Sequence, residues 1–505
     1  MTRNVVKATG YLLLINICVK LLSFVREMVI ANGFGASSAS DAYLVAFTFP
    51  NFFQAILGYA FVSAALPVIN ASWQREDGQE EAFRIGSTLL NVTAAAMTVL
   101  VVLGLIFAPA LVWLCAPSFT PDTAALAARL TRIVLPSLLF TAVAMMMTAI
   151  LNSRYRFAAA AIGPGLASLA IIVSTLFFAH GDIRVVAVGT LLGYLACLLL
   201  QWFDLPHTGF RYRPVCDLSH PQVRRVLRSM VPILLGLAVT QCYTIINRIF
   251  ASGMTEGSIS ALNYANKVMN LPVSLFVVAV ITAVFPRLAE EAAGGDRQAL
   301  GASLSRALSM ILLLTVPATV GLLLLDGPIV ELLFQRGSFD AAATRMTADA
   351  LFAMSPGMVF LGASMLLLRV FYAGGQVKTP LWVGLISIGV NVLASLLLMK
   401  PLGHVGLAWA NSLAAAVNAG LLAWVLQHQL DFFDSYLRRA LPEIAGATVV
   451  MGLILALLLR LLSSWSLLMR VGAAIAVAVG VYFLCLRLVR SRMLSDTWHD
   501  LRSSR

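Results

Sequence analysis

The chain has 505 residues, 60% of them apolar and only 11% charged, and carries a net charge of +12 at neutral pH. Soluble domains hold roughly 25% charged residues, so this composition excludes a water-soluble globular protein and points to a polytopic membrane protein. The positive charge does not imply a nucleic-acid partner. Most of the 35 Lys and Arg residues fall in alternate connections between apolar segments, which is the positive-inside pattern of membrane topology.

Apolar segments long enough to cross about 30 Å of hydrocarbon recur from end to end. Hydropathy predicts fourteen helices, at 8–30, 41–70, 83–112, 125–151, 158–179, 184–204, 222–252, 258–290, 299–325, 341–373, 379–399, 405–427, 437–460 and 465–488. The first holds Lys20 and Arg26 inside its apolar run and has no small-residue cleavage site after it, so it reads as a retained helix rather than a signal peptide. Basic clusters lie in the first seven residues, in 70–84, 152–157, 205–228 and 287–306, at Lys378, at 438–439 and after Leu486. They assign both termini to the cytoplasm. The six cysteines (18, 115, 197, 216, 242 and 485) show no paired or metal-like spacing, so neither a disulfide nor a metal site is expected.

The chain repeats itself. Setting 24–50 against 246–272 pairs Arg26 with Arg248, Gly35 with Gly257, Ser38 with Ser260 and Pro50 with Pro272. Farther on, 118–140 matches 338–360, bringing together Ser118 with Ser338, Phe119 with Phe339 and Pro136 with Pro356. Each repeat holds six helices, an even number, so both cross the membrane in the same sense, as in transporters built from parallel repeats. The expected organisation is an N-lobe at 1–204, a basic cytoplasmic linker at 205–228 and a C-lobe at 229–430. Residues 431–505 supply two further helices and a basic tail. The linker carries five arginines. Its later part, with Arg224, Arg225 and Arg228, starts a helix amphipathic enough for the membrane surface, where an ordinary interfacial loop outweighs a regulatory role.

Charges inside the membrane carry the functional signal. Lys20, Arg26 and Glu27 in the first helix join Asp41 at the start of the second, Arg248 in the seventh and Lys267 in the eighth. Each costs roughly 2.5–3.5 kcal/mol in hydrocarbon on insertion scales, so such residues face one another or a cavity. Local pairing of Arg26 with Glu27 is the plain reading of those two, but it leaves the repeat-related Arg248 and Lys267 unexplained. Four cations against two acids suit an anion, and the fixed fork of Arg suits phosphate. Pro50 and Pro272 predict kinks in the second helix of each repeat, and bending helices around a cleft imply alternating access. Asn247, Asn263, Asn266, Asn270, Asn391, Asn411, Ser412 and Asn418 spread polar groups over the second repeat. Interhelical hydrogen bonding is the favoured explanation. A candidate cation site among Asn247, Asn391 and Ser412 is the sharper alternative.

"FVREMVIANGFGASSASDAYLVAFTFPNFF" (24–53), "YANKVMNLP" (264–272), "LFQRGSFDAAAT" (333–344) and "YAGGQVKTPLWVGLISIGVNVLAS" (372–395) resemble the MurJ/MviN family of lipid II flippases. That family lies in the multidrug/oligosaccharidyl-lipid/polysaccharide exporter superfamily. The resemblance covers about 1–430 and implies an all-α membrane protein of about 14 helices, two six-helix lobes in a V shape, and two C-terminal helices grooved for a polyprenyl tail. It implies that Lys20, Arg26, Glu27, Asp41, Arg248 and Lys267 bind the diphosphate headgroup in a central cavity. Asn247, Asn391 and Ser412 fall near a sodium site described for some members. The chain departs from the family at Gln54, Ala55 and "LGYAFVS" (57–63), where the family has an Arg pair and then Glu-Gly-Ala-Phe-Ser, and at Lys20 and Lys267, which replace arginines.

The function implied is movement of a polyprenyl-diphosphate glycan, lipid II foremost, from the inner to the outer leaflet of the bacterial cytoplasmic membrane. No cofactor is expected, with sodium, protons or the membrane potential as the drive. The expected partners are the glycolipid substrate and membrane lipids, and the expected state is a monomer. The alternatives are a flippase for a capsule, exopolysaccharide or O-antigen unit, or a non-transporting scaffold of the same fold. A drug exporter would need an acidic, aromatic-lined cavity. An enzyme would need carboxylates, His or metal ligands gathered at one membrane face, whereas all six His residues lie in or beside loops.

Overall fold

The structure is a computed structural model that describes residues 2–75 and 78–489, and all regular structure among them is helical. The basic tail beyond 489 lies outside the described residues. The chain divides into two compact units, one running through Ser260 and including Arg336–Phe339, the other comprising Ala261–Gln335 and the chain from Asp340 onward. Among the described residues, twelve helical stretches are long and apolar enough to cross a membrane. Of the fourteen expected spans, the first and seventh fall outside those twelve. Each is a single helix, of 33 and 32 residues respectively.

The first unit contains α1 (Thr2–Phe34), α2 (Ser38–Ala46), α3 (Thr48–Trp73), α4 (Gly78–Ile106), α5 (Ala108–Cys115), α6 (Pro121–Val134), α7 (Ser137–Ser153), α8 (Ala158–Phe177), α9 (Ile183–Asp204) and α10 (Pro221–Ser252). Three of the expected spans are interrupted, each at a proline. Pro50 lacks an N–H, and its ring would press on the carbonyl four residues back, at Ala46. The helix accordingly stops at Ala46 and restarts at Thr48. Pro109 follows the break at Phe107, and Pro136 separates α6 from α7. The core of the unit joins Ile56, Phe61 and Ile69 of α3 to Ile85 and Leu89 of α4 and to Met146, Met147 and Ile150 of α7. Val223, Val226 and Met230 of α10 enter the same core. By packing, therefore, α10 belongs with the first unit, although in chain order it opens the second repeat.

The linker is docked rather than loose. Tyr212 Oη donates to Asn91 Oδ1 at 2.7 Å, Asn91 Nδ2 donates to the Val215 carbonyl at 2.9 Å, and the Arg213 N–H donates to Ser87 Oγ at 2.9 Å. Arg213 pairs with Glu80 at 2.6 Å and Arg84 with Asp217 at 2.8 Å. The Ser219 hydroxyl, 2.5 Å from Asp217 Oδ1, and then the Arg84 charge hold the Asp217 carboxyl below its ordinary value of 3.8. A depressed carboxylate contributes stability that is complete above the unfolded value and disappears as pH falls through the folded one. Limited proteolysis at Arg211–Ser219 should therefore be independent of pH from 8 to about 5 and accelerate only in stronger acid, below about 3.9. Acceleration already near pH 6 would contradict this clamp.

The second unit contains α11 (Ser258–Pro272), whose first turn counts with the first unit, then α12 (Val278–Gly294), α13 (Arg297–Phe334), α14 (Ala341–Ala373), α15 (Lys378–Leu402), α16 (His404–Leu430), α17 (Ser435–Leu461) and α18 (Leu467–Leu488). Pro272 ends α11, and a π-helical turn over Val273–Val277 leads into α12, the second expected kink. The long α13 packs on α14, and α14 and α15 pack on α16. Helices α17 and α18 pack on α13 through Leu313, Leu325, Ile444, Met451, Leu455, Ala478 and Tyr482. Tyr482 Oη donates to the Leu313 carbonyl at 2.8 Å in a buried setting. Tyr482→Phe should cost about 1 kcal/mol, read as a lower unfolding midpoint in detergent, and an unchanged midpoint would show that this bond is dispensable.

Candidate functional site

The nine-residue helix α2 organises the charged groups of the first unit. The break after Ala46 leaves carbonyls without continuous helical partners, and Arg248 of α10 uses one of them. Its guanidinium donates to the Leu44 carbonyl and to Thr48 Oγ1. Arg248 thus braces the α2–α3 junction, one turn along from Asp41.

Asp41 is buried and accepts three hydrogen bonds from the start of α11. The Gly257 N–H lies 2.9 Å from Oδ2, while the Ser260 N–H and Oγ lie 2.7 and 2.5 Å from Oδ1. A carboxylate at the unsatisfied N–H groups of a helix start is a stabilising cap. The arrangement is reciprocal. At the start of α2, the Ser38 N–H donates to Glu256 Oε1 at 2.9 Å, and this bond holds the Glu256 carboxyl below its ordinary value.

Tight turns make this approach possible. Gly35 and Gly257 have φ of 62° and 82°, and a Cβ on either would collide with a backbone carbonyl, that of Ser338 or Ala36 respectively. Ser338 donates from its N–H to the Asn32 carbonyl at 2.9 Å and from Oγ to the Gly33 carbonyl at 3.0 Å. The repeat-related glycines of the sequence are therefore positions where loops cross in close contact.

Arg26 and Glu27 pair on α1, with Nη2 2.6 Å from Oε1 and side-chain exposures of 20% and 8%. The local pairing weighed from the sequence is present. It engages one edge of the guanidinium, at Nη2, while the side chain as a whole stays partly exposed. The phenols of Tyr43 and Tyr194 lie within electrostatic range of Arg26. Tyr43, Phe47 and Tyr194 stack in sequence, with centroids 6.4 and 6.0 Å apart. Tyr43 Oη lies 2.8 Å from Thr190 Oγ1, and Tyr194 Oη donates to Gln54 Oε1 at 3.2 Å. Lys20 is exposed on α1, less than two turns before Arg26.

Of the remaining expected residues, Lys267 is half-buried on α11 in the second unit, where Asn270 Nδ2 donates to Asn266 Oδ1 at 2.6 Å. Asn247, in the first unit, donates to the Tyr243 carbonyl at 3.0 Å. In the second unit Asn391 donates to Asn411 Oδ1 at 2.9 Å, and Ser412 donates to the Ala353 carbonyl at 2.6 Å. The Asn391 and Ser412 bonds join different helices, the interhelical pattern favoured from the sequence, whereas the Asn247 and Asn270 bonds run within α10 and α11. No group of three His, Cys, Asp or Glu residues able to hold a metal occurs among the described residues. Cys18, Cys115, Cys197, Cys216 and Cys485 are free thiols, and the Cys242 side chain lies outside the described residues.

What the sequence reading missed is Tyr43, Tyr194, Glu256 and the role of the already paired Gly257 as a donor to Asp41. A signal existed for the last two. Gly-Ser-Ile-Ser at 257–260 is a helix start lying in register with the Gly/Ser run at 35–40, and a helix start wants an acceptor.

A helical chain with twelve stretches long and apolar enough to cross a membrane among its described residues, and an Arg26–Glu27 pair within a further helix, is an integral membrane protein with a transporter fold. Its architecture is similar to that of a multidrug resistance MATE family transporter of the MOP superfamily, with a TM-score of 0.67 at 15% identity, over 82% of this chain and 94% of the other. The likeness is greater to a solved lipid II flippase MurJ in an inward closed conformation, with a TM-score of 0.81 at 25% identity, over 97% and 99% of the two chains. The family model for the lipid II flippase MurJ matches residues 30–473. The lipid II flippase MurJ of Burkholderia cenocepacia is 31% identical over 447 residues, which span 86% of each chain. A probable lipid II flippase of Rhizobium meliloti is 32% identical over 413 residues, 80% of this chain and 77% of its own. The chain belongs to the MurJ family of lipid II flippases.

Proposed function

We propose that this protein moves lipid II across the bacterial cytoplasmic membrane, from the inner to the outer leaflet, by alternating access and without chemical change to the lipid. Family membership supports the substrate. The observation in the molecule that carries the reading is Arg26, a partly open guanidinium at membrane depth whose counter-ion is the adjacent Glu27. A diphosphate brings the acceptor oxygens that such a fork binds in pairs. Both termini lie in the cytoplasm in this reading, which rests on the distribution of basic residues. The protein acts as a monomer, and its drive is the membrane potential or a coupled cation.

Reconstitution tests the reading. Proteoliposomes holding the purified chain should expose lipid II on the opposite leaflet, detected by a membrane-impermeant enzyme or lectin, faster than protein-free vesicles. The chain should also restore growth to a bacterium depleted of its lipid II flippase. Failure in both assays by a well-folded protein, together with activity on a capsule-type polyprenyl-diphosphate glycan, would reassign the substrate.

A further inference from the structure

Beside Arg26 lies a second polar element that the proposed headgroup contacts do not use. Tyr194 of α9 and Gln54 of α3 are half-buried, and the phenol donates to the amide oxygen at 3.2 Å. With Oε1 occupied, Gln54 presents Nε2, and among the described residues that nitrogen donates to no partner. The Tyr194 oxygen keeps an acceptor lone pair. The ring is held by its stack on Phe47, which is itself stacked on Tyr43, and Tyr43 is anchored through Thr190. The pair is therefore pre-positioned, uncharged, and offers both a donor and an acceptor. Because Tyr194 also lies within electrostatic range of Arg26, the pair and the guanidinium share one region. A partly exposed guanidinium at membrane depth requires that region to be polar rather than lipid-filled.

We infer that Gln54 and Tyr194 form a sugar-reading subsite, which binds the hydroxyl and acetamido groups of the lipid-linked glycan while Arg26 binds its diphosphate. The assignment follows from the chemistry of the groups. A neutral amide donor gains little from a phosphate that a nearby guanidinium binds better. It matches the amide carbonyl of an N-acetylated sugar, and the phenol oxygen accepts from a sugar hydroxyl. Rigid polar pairs with hydrogen-bonding capacity left for a ligand give specificity, because a substrate lacking the complementary group leaves them unpaired.

The inference rests on the proposed lipid II reading, and a two-ligand experiment separates the two. Binding of lipid II and of sugar-free polyprenyl diphosphate is measured on the purified full chain in nanodiscs, for wild type, Gln54→Ala, Tyr194→Phe and Arg26→Lys. Tyr194→Phe preserves the ring stack, so it reports the hydroxyl alone. Gln54→Ala and Tyr194→Phe should each weaken lipid II binding by roughly tenfold, the worth of one or two hydrogen bonds, and leave polyprenyl diphosphate binding unchanged. Arg26→Lys should weaken both ligands together. Equal loss of both ligands in Gln54→Ala and Tyr194→Phe would overturn the subsite, as would no loss of either, while leaving the flippase reading in place. A wild type that binds neither ligand would overturn both.

Discussion

Arg26→Ala should abolish rescue of a flippase-depleted bacterium at matched membrane levels, and it should also lower stability, because two separate things are lost. The first is the fork that, in the proposed function, binds phosphate oxygens. The second is the counter-ion of Glu27, whose side chain is only 8% exposed. Breaking a buried pair by removing one partner costs about 3–5 kcal/mol, and the 20% exposure of Arg26 places this case at the lower end, about 3 kcal/mol. The double variant Arg26→Ala/Glu27→Gln separates the two effects. With the Glu27 charge neutralised, most of the unfolding midpoint should return while transport stays absent. Recovery of transport along with stability would show that Arg26 matters only as a structural partner.

Asp41→Ala is expected to have the next largest effect, by a different route. Its carboxylate satisfies the Gly257 N–H and both donors of Ser260. Removing it leaves a helix start without its acceptor in a buried setting, at a cost of about 2–4 kcal/mol from a lost charged cap and unsatisfied donors. Asp41→Asn keeps the shape but turns an amide NH₂ toward one of those donors, so it should recover only part of the loss. Unfolding midpoints in detergent give the order wild type, Asn, Ala. An Ala variant as stable as wild type would show that Asp41 acts on substrate instead of on α11.

The charged positions were legible in the sequence because ionised residues in apolar segments are conspicuous, and the repeat drew Arg26 and Arg248 together. Their partners were harder to find. Hydropathy assigns charge to depth but does not say whether Arg248 faces a cleft or grips the Leu44 carbonyl, since that depends on where α2 stops. Pro50 announces an interruption, and its ring places the break at Ala46, yet the use of the nearby Leu44 carbonyl emerges only when α10 packs on α3. That packing was illegible for the same reason. The repeat assigns α10 to the second half, whereas the burial of Val223, Val226 and Met230 among α3, α4 and α7 depends on side-chain fit. The Tyr43–Phe47–Tyr194 stack joins residues well over a hundred positions apart, and aromatic residues in apolar helices carry no distinctive spacing.

The pairing of Arg26 with its own neighbour has a kinetic consequence. Under the proposed function, an incoming diphosphate meets a guanidinium that already has a partner, so capture is an exchange in which Glu27 yields to phosphate, and release is the reverse exchange with the carboxylate waiting one residue away. The net gain is the difference between two similar attractions. A modest difference keeps the occupied state from becoming a trap, and a carrier that must let go of every molecule it takes up turns over faster with an internal competitor than with an open cation.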